Sequence, residues 1–513
     1  NNADAGRGGA DGPTRIVNAD GTLRQLRDDV VTSDYDSPKL SGKLTWDPAG
    51  DRILNLNGHY QRIYERFREN SQRATPGRPA ELQTIRQREN RWNYEIGGDY
   101  TFPLAGGTFK GIGLRRQSHE PLSVKVISQL ADGSPATGDR FAQVGDTAET
   151  VARGEFNWTM LGGDWQVAGE AAFNSLDNVA SLATLAPDGT FVDVPFPDGS
   201  GGVSEDRYEG SLSFGRTLTP KLSFQLNLAA EHSTIVQSGP NGLERSFLRP
   251  KGKLALAWKP SADLDLAFSV QRRVLQLSFY DFLARAFLDD DNQNSGNNDL
   301  RPRQDWSFEG ELNKSLGPWG KTQLQVIYRD VQDFVDIVPV GNGGESVGNI
   351  PKAWAAAVIS TSTLTFDPVG LKGVRLDGTI LFQTSRLTDP FTGERRQWSG
   401  FGARQVNLDL RHDIPRSQWA WGAGANHFYP LARFRSNQSD RNWEGPWFAS
   451  LFIEHKDVLG MTVSARASNL LGARQYRDRV VYTGRRDTSA VDFAELRSRR
   501  IGPIFTFTMR GNF

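Results

Sequence analysis

Apolar and polar residues alternate one by one through segment after segment of this chain, and no other feature limits its fold so strongly. Leu222, Phe224, Leu226 and Leu228 interleave with Ser223, Gln225 and Asn227. Leu264, Leu266, Phe268 and Val270 interleave with Asp265, Ala267, Ser269 and Gln271. Trp306, Phe308, Gly310 and Leu312 alternate with Ser307, Glu309, Glu311 and Asn313. The last stretch, Ile501 to Phe513, repeats the pattern and stops on an aromatic residue. Side chains alternate across a β-strand, so each segment reads as a strand with one apolar and one polar face. A soluble sheet with one buried face reads the same way. The return of the pattern along the whole chain favours a transmembrane antiparallel β-barrel, because open edges in lipid would leave backbone groups unpaired. Charges such as Asp265, Glu309, Glu311 and Asp377 then belong in a wet lumen.

Composition agrees with this reading. Mean hydropathy is −0.51, and no run approaches the ~18 apolar residues of a membrane helix. In a barrel only alternate residues meet lipid, so low hydropathy is no objection. Sixty basic and sixty acidic residues balance, which gives no support to a nucleic-acid partner. The chain has no Cys, so disulfides, thiolate metal sites and Cys nucleophiles are excluded. Residue 1 opens no signal peptide. An exported chain needs one, so Asn1 is expected to lie downstream of the true start.

The punctuation is regular. Short turns fall at 47–50, 103–107, 161–164, 219–221, 260–263, 317–320, 368–373, 415–417 and 457–460. Between them lie longer polar stretches near 68–90, 128–146, 184–205, 236–243, 285–303, 340–348, 387–397, 436–442 and 484–490. Short turns on one side and long loops on the other is the layout of an outer-membrane barrel, with the short turns periplasmic. About nineteen strands are expected over 38–513. Residues 1–37 read as an external loop or strand remnant. Counting back from a periplasmic C-terminus, at least one upward strand is expected before Asn1. A barrel of 22 strands would lack three.

The C-terminal part resembles the barrel of TonB-dependent outer-membrane receptors. Asn469-Leu470-Leu471-Gly472, followed by Tyr476, is similar to a segment on that family's penultimate strand, with Gly472 where Asp is usual. Arg500 to Phe513 is similar to its terminal strand, and Asn298 to Arg303 to its entry into a central strand. The resemblance implies energised uptake of a scarce ligand; no enzymatic activity and no cofactor are expected. It also implies that Phe513 serves as the signal read by the barrel-assembly machinery. The family's plug and TonB box have no counterpart here, so a plug-bearing segment or chain is the expected link to the TonB system. Lipopolysaccharide and outer-membrane lipid are further expected partners. The alternatives are a structural barrel in an outer-membrane complex, or a passive channel.

Specific chemistry is sparse. None of the six His falls in a metal-binding spacing such as H-E-x-x-H, and no G-x-S-x-G elbow marks a nucleophile. The oxygen-rich stretch holding Asp289, Asp291 and Asp299 has the donors a hard cation wants. Its EF-hand register fails at Pro302, and it reads as a solvated loop. Arg66, Arg68, Arg73, Arg78, Arg86, Arg88 and Arg91 form an Arg-rich stretch suited to carboxylate or phosphate. Glu65, Glu69, Glu81 and Glu89 lie among them, and a self-paired surface loop is the favoured reading. Trp158, Trp165, Trp258, Trp306, Trp319, Trp419, Trp421 and Trp447, near expected strand ends, read as interfacial girdles. The ligand-facing candidates, taken from external loops and inner strand tops, are Phe279, Tyr280, Phe282, Phe287, Arg386, Phe391, Arg395, Arg396, Trp398, His427, Tyr429, Tyr476 and Arg477.

Overall fold

The computed structural model describes residues 2–48, 50–239, 242–288, 290, 292–341 and 344–511. Most of them lie in antiparallel strands, and 26 strands form one sheet. Long strands pair with their sequence neighbours, as hairpins joined by tight turns do. Leu23–Trp46 pairs with Ile53–Ala74, Ile53–Ala74 with Glu81–Leu104, and Glu81–Leu104 with Gly107–Leu130. These strands of 22 to 24 residues far exceed the ~9–11 that span a bilayer.

The expected count of about nineteen is corrected to 28 strands among the described residues. Five are short pieces within loops, such as Phe191–Val194 and Arg433–Phe434. Three more arise where a long strand breaks in two: 438–445 with 448–458, 461–468 with 474–482, and 491–500 with 504–511. Without the five short pieces and with the three pairs joined, twenty long strands are left.

Asn469 accounts for two of the breaks. Its backbone is left-handed, with φ 57°. Its buried side chain accepts from the Ala473 amide at 2.7 Å and donates to the Ile501 carbonyl at 2.6 Å. One amide therefore holds the bends of both final strands together. Gly472, standing where the similar segment has Asp, sits at φ 66°, a conformation glycine adopts without strain.

Residues 2–37, read as an external loop or strand remnant, are mostly strand. Asn2–Asn18 is a strand, paired on one side with Leu23–Trp46 and on the other with Val491–Arg500. Val491–Arg500 pairs in turn with Arg474–Tyr482. The stretches 68–90 and 128–146, expected as loops, are also mostly strand. Their connections occupy only 75–80 and 131–136.

Register aligns the apolar faces into rows. Leu256 faces Phe268 and Leu254 faces Val270, Val270 faces Phe308, and Phe308 faces Tyr328. Many members of these rows are exposed, including Leu256, Phe268, Phe308, Val326, Tyr328 and Phe382. Phe505, Phe507 and Met509 on the last strand belong to the same outer face. Near the short turns an aromatic rim follows the wall. Trp158 stacks on Trp165 at 6.2 Å, Trp165 meets Phe214 at 4.4 Å, and Phe214 meets Phe224 at 5.5 Å. The opposite parity is mostly polar, and members of it such as Glu231, Ser233, Asp305 and Ser307 are buried.

Candidate functional site

The long connection 275–303 folds inward over the lumen. It carries a 3-10 turn, Phe279–Phe282, and a small hairpin of Arg285–Phe287 with Asn292–Asn294. Phe282 and Leu300 are buried against Val203 and Ile235 on the inner face of the wall. The Tyr280 hydroxyl donates to Glu120 at 3.2 Å. Across the lumen, Arg477 donates to Asp290 at 2.6 Å, and Arg479 donates to the Asp290 carbonyl at 2.7 Å. The segment therefore bridges separate parts of the wall. Arg435 adds a further tie, to Glu345 at 2.6 Å and to Asn294.

A second inward cluster forms beside it. Asp389 accepts from Arg396 at 2.5 Å and from Arg486 at 2.7 Å. Burial raises the Asp389 carboxyl, but those hydrogen bonds and the Phe391 amide outweigh it and hold the group below the usual carboxylate range. Arg396 also reaches Asp336 at 3.1 Å. Both guanidiniums lie over the Phe434 ring, at 4.7 and 5.2 Å, a geometry that favours a cation. Trp398 packs on Phe334 at 4.5 Å, and Arg303 lies over both rings.

Under the inward segment a cavity of about 800 Å³ opens against the wall. Arg27, Arg73, Arg477, Arg479, Arg497 and Arg499 line it, with Glu69, Asp290 and Glu495. Glu495 lies 2.9 Å from Arg497, 3.7 Å from Arg479 and 3.9 Å from Arg477. Arg499 is spoken for by Asp29 at 2.9 Å and Glu69 at 2.7 Å. Arg27 has no carboxylate within ion-pair distance among the described residues, and donates to Gln25 instead. Guanidiniums so placed can take a carboxylate or phosphate in two-pronged fashion. A smaller cavity of about 460 Å³ lies beside Phe279 and Tyr280, with His59, Arg116, Glu149 and Glu205 in its wall.

The sequence candidates divide by face. Phe279, Tyr280, Phe282, Phe287, Phe391, Arg396, Trp398 and Arg477 belong to the inward clusters. Phe287 lies under Arg435 at 5.5 Å. Arg386, His427, Tyr429 and Tyr476 stand instead on the outer rows, so their expected place at inner strand tops is corrected. Arg386 lies over Trp354, Tyr429 is flanked by Arg404 and Arg441, and Tyr476 stacks on Trp443. His427 packs on Trp447. Arg395 is exposed on its two-residue strand. Asp299 is largely exposed, 3.8 Å from Arg245. Asp289, Asp291 and Phe513 lie outside the described residues. Among those described, no cluster of three or more His, Asp or Glu is arranged to hold a metal.

The residues not singled out from sequence are Arg27, Asp290, Asp336, Asp389, Arg435, Arg479, Arg486, Glu495, Arg497 and Arg499. Part of the signal was there. Arg477 and Arg479, and Glu495, Arg497 and Arg499, recur at every second position, which in a strand means one charged face.

No family model matches the chain, and no curated protein matches it by sequence. Solved structures do. The siderophore receptor PiuA from Acinetobacter baumannii aligns with a TM-score of 0.57 at 9% identity, covering 97% of this chain and 82% of that one. The ferric-catecholate import receptor Fiu from E. coli K12 gives 0.55 at 9%, covering 97% and 82%. The copper transporter OprC gives 0.53 at 9%, covering 97% and 80%. At such identities the likeness is one of fold.

Proposed function

We propose, starting from a fold shared with TonB-dependent outer-membrane receptors, that this chain is the wall and ligand cup of an outer-membrane receptor. The sheet closes as a barrel, its apolar rows face lipid, and its short turns and C-terminus face the periplasm. The ligand is scarce and bears oxyanion groups. It enters from the side of segment 275–303 and is held by Arg27, Arg73 and Arg497. The TonB system acts through a plug-bearing segment or partner chain.

The observation that carries this reading is the charged cavity of about 800 Å³ beneath an inward-folded segment. A segment tied to separate parts of the wall suits gated entry better than the open lumen of a passive channel. Neutral residues at Arg27 and Arg73 would keep the wall intact and remove two donors. Growth of the producing bacterium on limiting iron or copper complexes, with and without the gene, identifies the ligand. Arg27→Gln/Arg73→Gln is then expected to weaken its binding ~10-fold or more. Uptake that is unchanged when TonB is removed would refute the energised mechanism.

A further inference from the structure

The Arg-rich stretch read from sequence as a self-paired loop is split by strand parity. Glu65, Glu69, Glu81 and Glu89 have inward parity. Arg73 and Arg91 join them there, with Arg91 3.0 Å from Glu89 and Arg73 3.8 Å from Glu81. Arg66, Arg68, Arg86 and Arg88 have outward parity and are exposed. Register then sets like charges side by side. Arg68 stands opposite Arg86, Arg86 opposite Lys125, and Lys125 opposite Arg140, on four adjacent strands. Arg66 stands opposite Arg88 in the next row.

Like charges placed directly opposite one another destabilise a sheet. Little in the chain offsets them. Arg140 pairs with Asp193 at 3.3 Å. Asp34, opposite Arg66, pairs with Arg7. Arg66, Arg68, Arg86, Arg88 and Lys125 make no ion pair among the described residues.

Height on the wall identifies the counter-charge. Trp92 stacks on Tyr94 at 6.3 Å and on His119 at 5.7 Å, forming an aromatic rim above the apolar rows. On the neighbouring strand the outer aromatic Tyr64 is followed by Arg66 and Arg68, about 7 and about 14 Å further along at ~3.4 Å per residue. Aromatic rims mark the edge of the hydrocarbon, and the next layer holds the headgroups. We propose that these rows bind the phosphate groups of an outer-leaflet lipid, with Arg66, Arg68, Arg86 and Arg88 as the phosphate ligands. The proposal rests on the reading of the apolar rows as a lipid-facing belt.

The test uses the purified full chain and bisphosphorylated lipid A, read by native mass spectrometry. The variant is Arg66→Gln/Arg68→Gln/Arg86→Gln/Arg88→Gln. The control is Lys352→Gln, an exposed lone cation two residues beyond the outer aromatic Trp354. Retention of lipid A is expected to fall roughly a hundredfold in the quadruple variant, to be unchanged in the control, and to fall for the wild type with dephosphorylated lipid A. Undiminished binding by the quadruple variant would overturn the proposal. So would equal displacement by millimolar inorganic pyrophosphate, which would mark a site for free phosphate. The milder pair Arg68→Gln/Arg86→Gln, expected to show an intermediate loss, covers a quadruple variant that fails to fold. Insertion into phosphatidylcholine vesicles is scored separately. Failure to insert overturns the belt and the proposal together. Insertion with undiminished lipid A binding by the variants overturns the phosphate site alone.

Discussion

Asp281, inside the inward segment, carries the clearest dependence on pH. Burial pushes its carboxyl up to about 6, with Arg285 opposing only in part. A carboxyl with a raised pKa in the folded state contributes stability below its unfolded value, and that contribution is lost as pH rises through the folded value. Asp281 should therefore loosen its segment as pH passes from about 4 to about 6. Asp281→Asn removes the penalty, and is expected to stabilise the 279–287 region on the order of 2 kcal/mol at pH 7.5. The difference should vanish below about pH 4. Hydrogen exchange of that region at the two pH values checks both the sign and the window. Nothing in the sequence around Asp281 announces this, because the shift comes from burial of a loop residue by distant strands.

At the scale of elements, alternation was legible where one face of a strand is apolar and the other polar. Leu222 to Leu228 and Leu264 to Val270 were read as strands and are strands. The reading failed where both faces are polar. Glu65-Arg66-Phe67-Arg68-Glu69 looks like loop because both faces of the strand carry charged residues there, so the amphipathic contrast disappears although the strand continues. The inward cup was legible only in part for a related reason. Phe279, Tyr280 and Arg477 could be picked from loops and strand tops, but Asp290 and Arg435 matter through contacts made across the lumen. Those contacts yield a prediction. Arg477 is buried and binds Asp440 through two hydrogen bonds of 2.9 Å as well as Asp290. Arg477→Ala strands both carboxylates, costing about 2–4 kcal/mol locally. The 285–294 hairpin should then exchange its amide hydrogens ~10-fold faster or more, and conductance in planar bilayers should rise. Unchanged conductance and exchange would mean the hairpin is held without Arg477.

At the scale of the whole molecule, the first strand meets the C-terminal part of the chain along a seam between Asn2–Asn18 and Val491–Arg500. Paired positions there run from Asp11 with Arg500 to Asn18 with Phe493, a short overlap compared with the long hairpins elsewhere. Beside it, Arg499 near the end of the chain ties Asp29 and Glu69 on two consecutive strands near its start, and Thr14 donates to Asp29 at 2.6 Å. Arg499 and Asp29 are 2% and 1% exposed, so neither charge can turn to water for compensation. Removing one partner of such a cluster costs about 3–5 kcal/mol, whereas replacing the whole cluster with apolar groups is often neutral. Arg499→Leu is therefore expected to weaken the seam by about 3–5 kcal/mol and to lower the temperature at which the folded, fast-migrating form is lost on electrophoresis. Asp29→Leu/Glu69→Leu/Arg499→Leu should recover most of that loss, since it leaves none of these three charges without its partner. If the triple variant is no more stable than Arg499→Leu, the cluster is not the charge lock of the seam. Backbone pairing of 11–18 with 493–500 would then have to hold it alone.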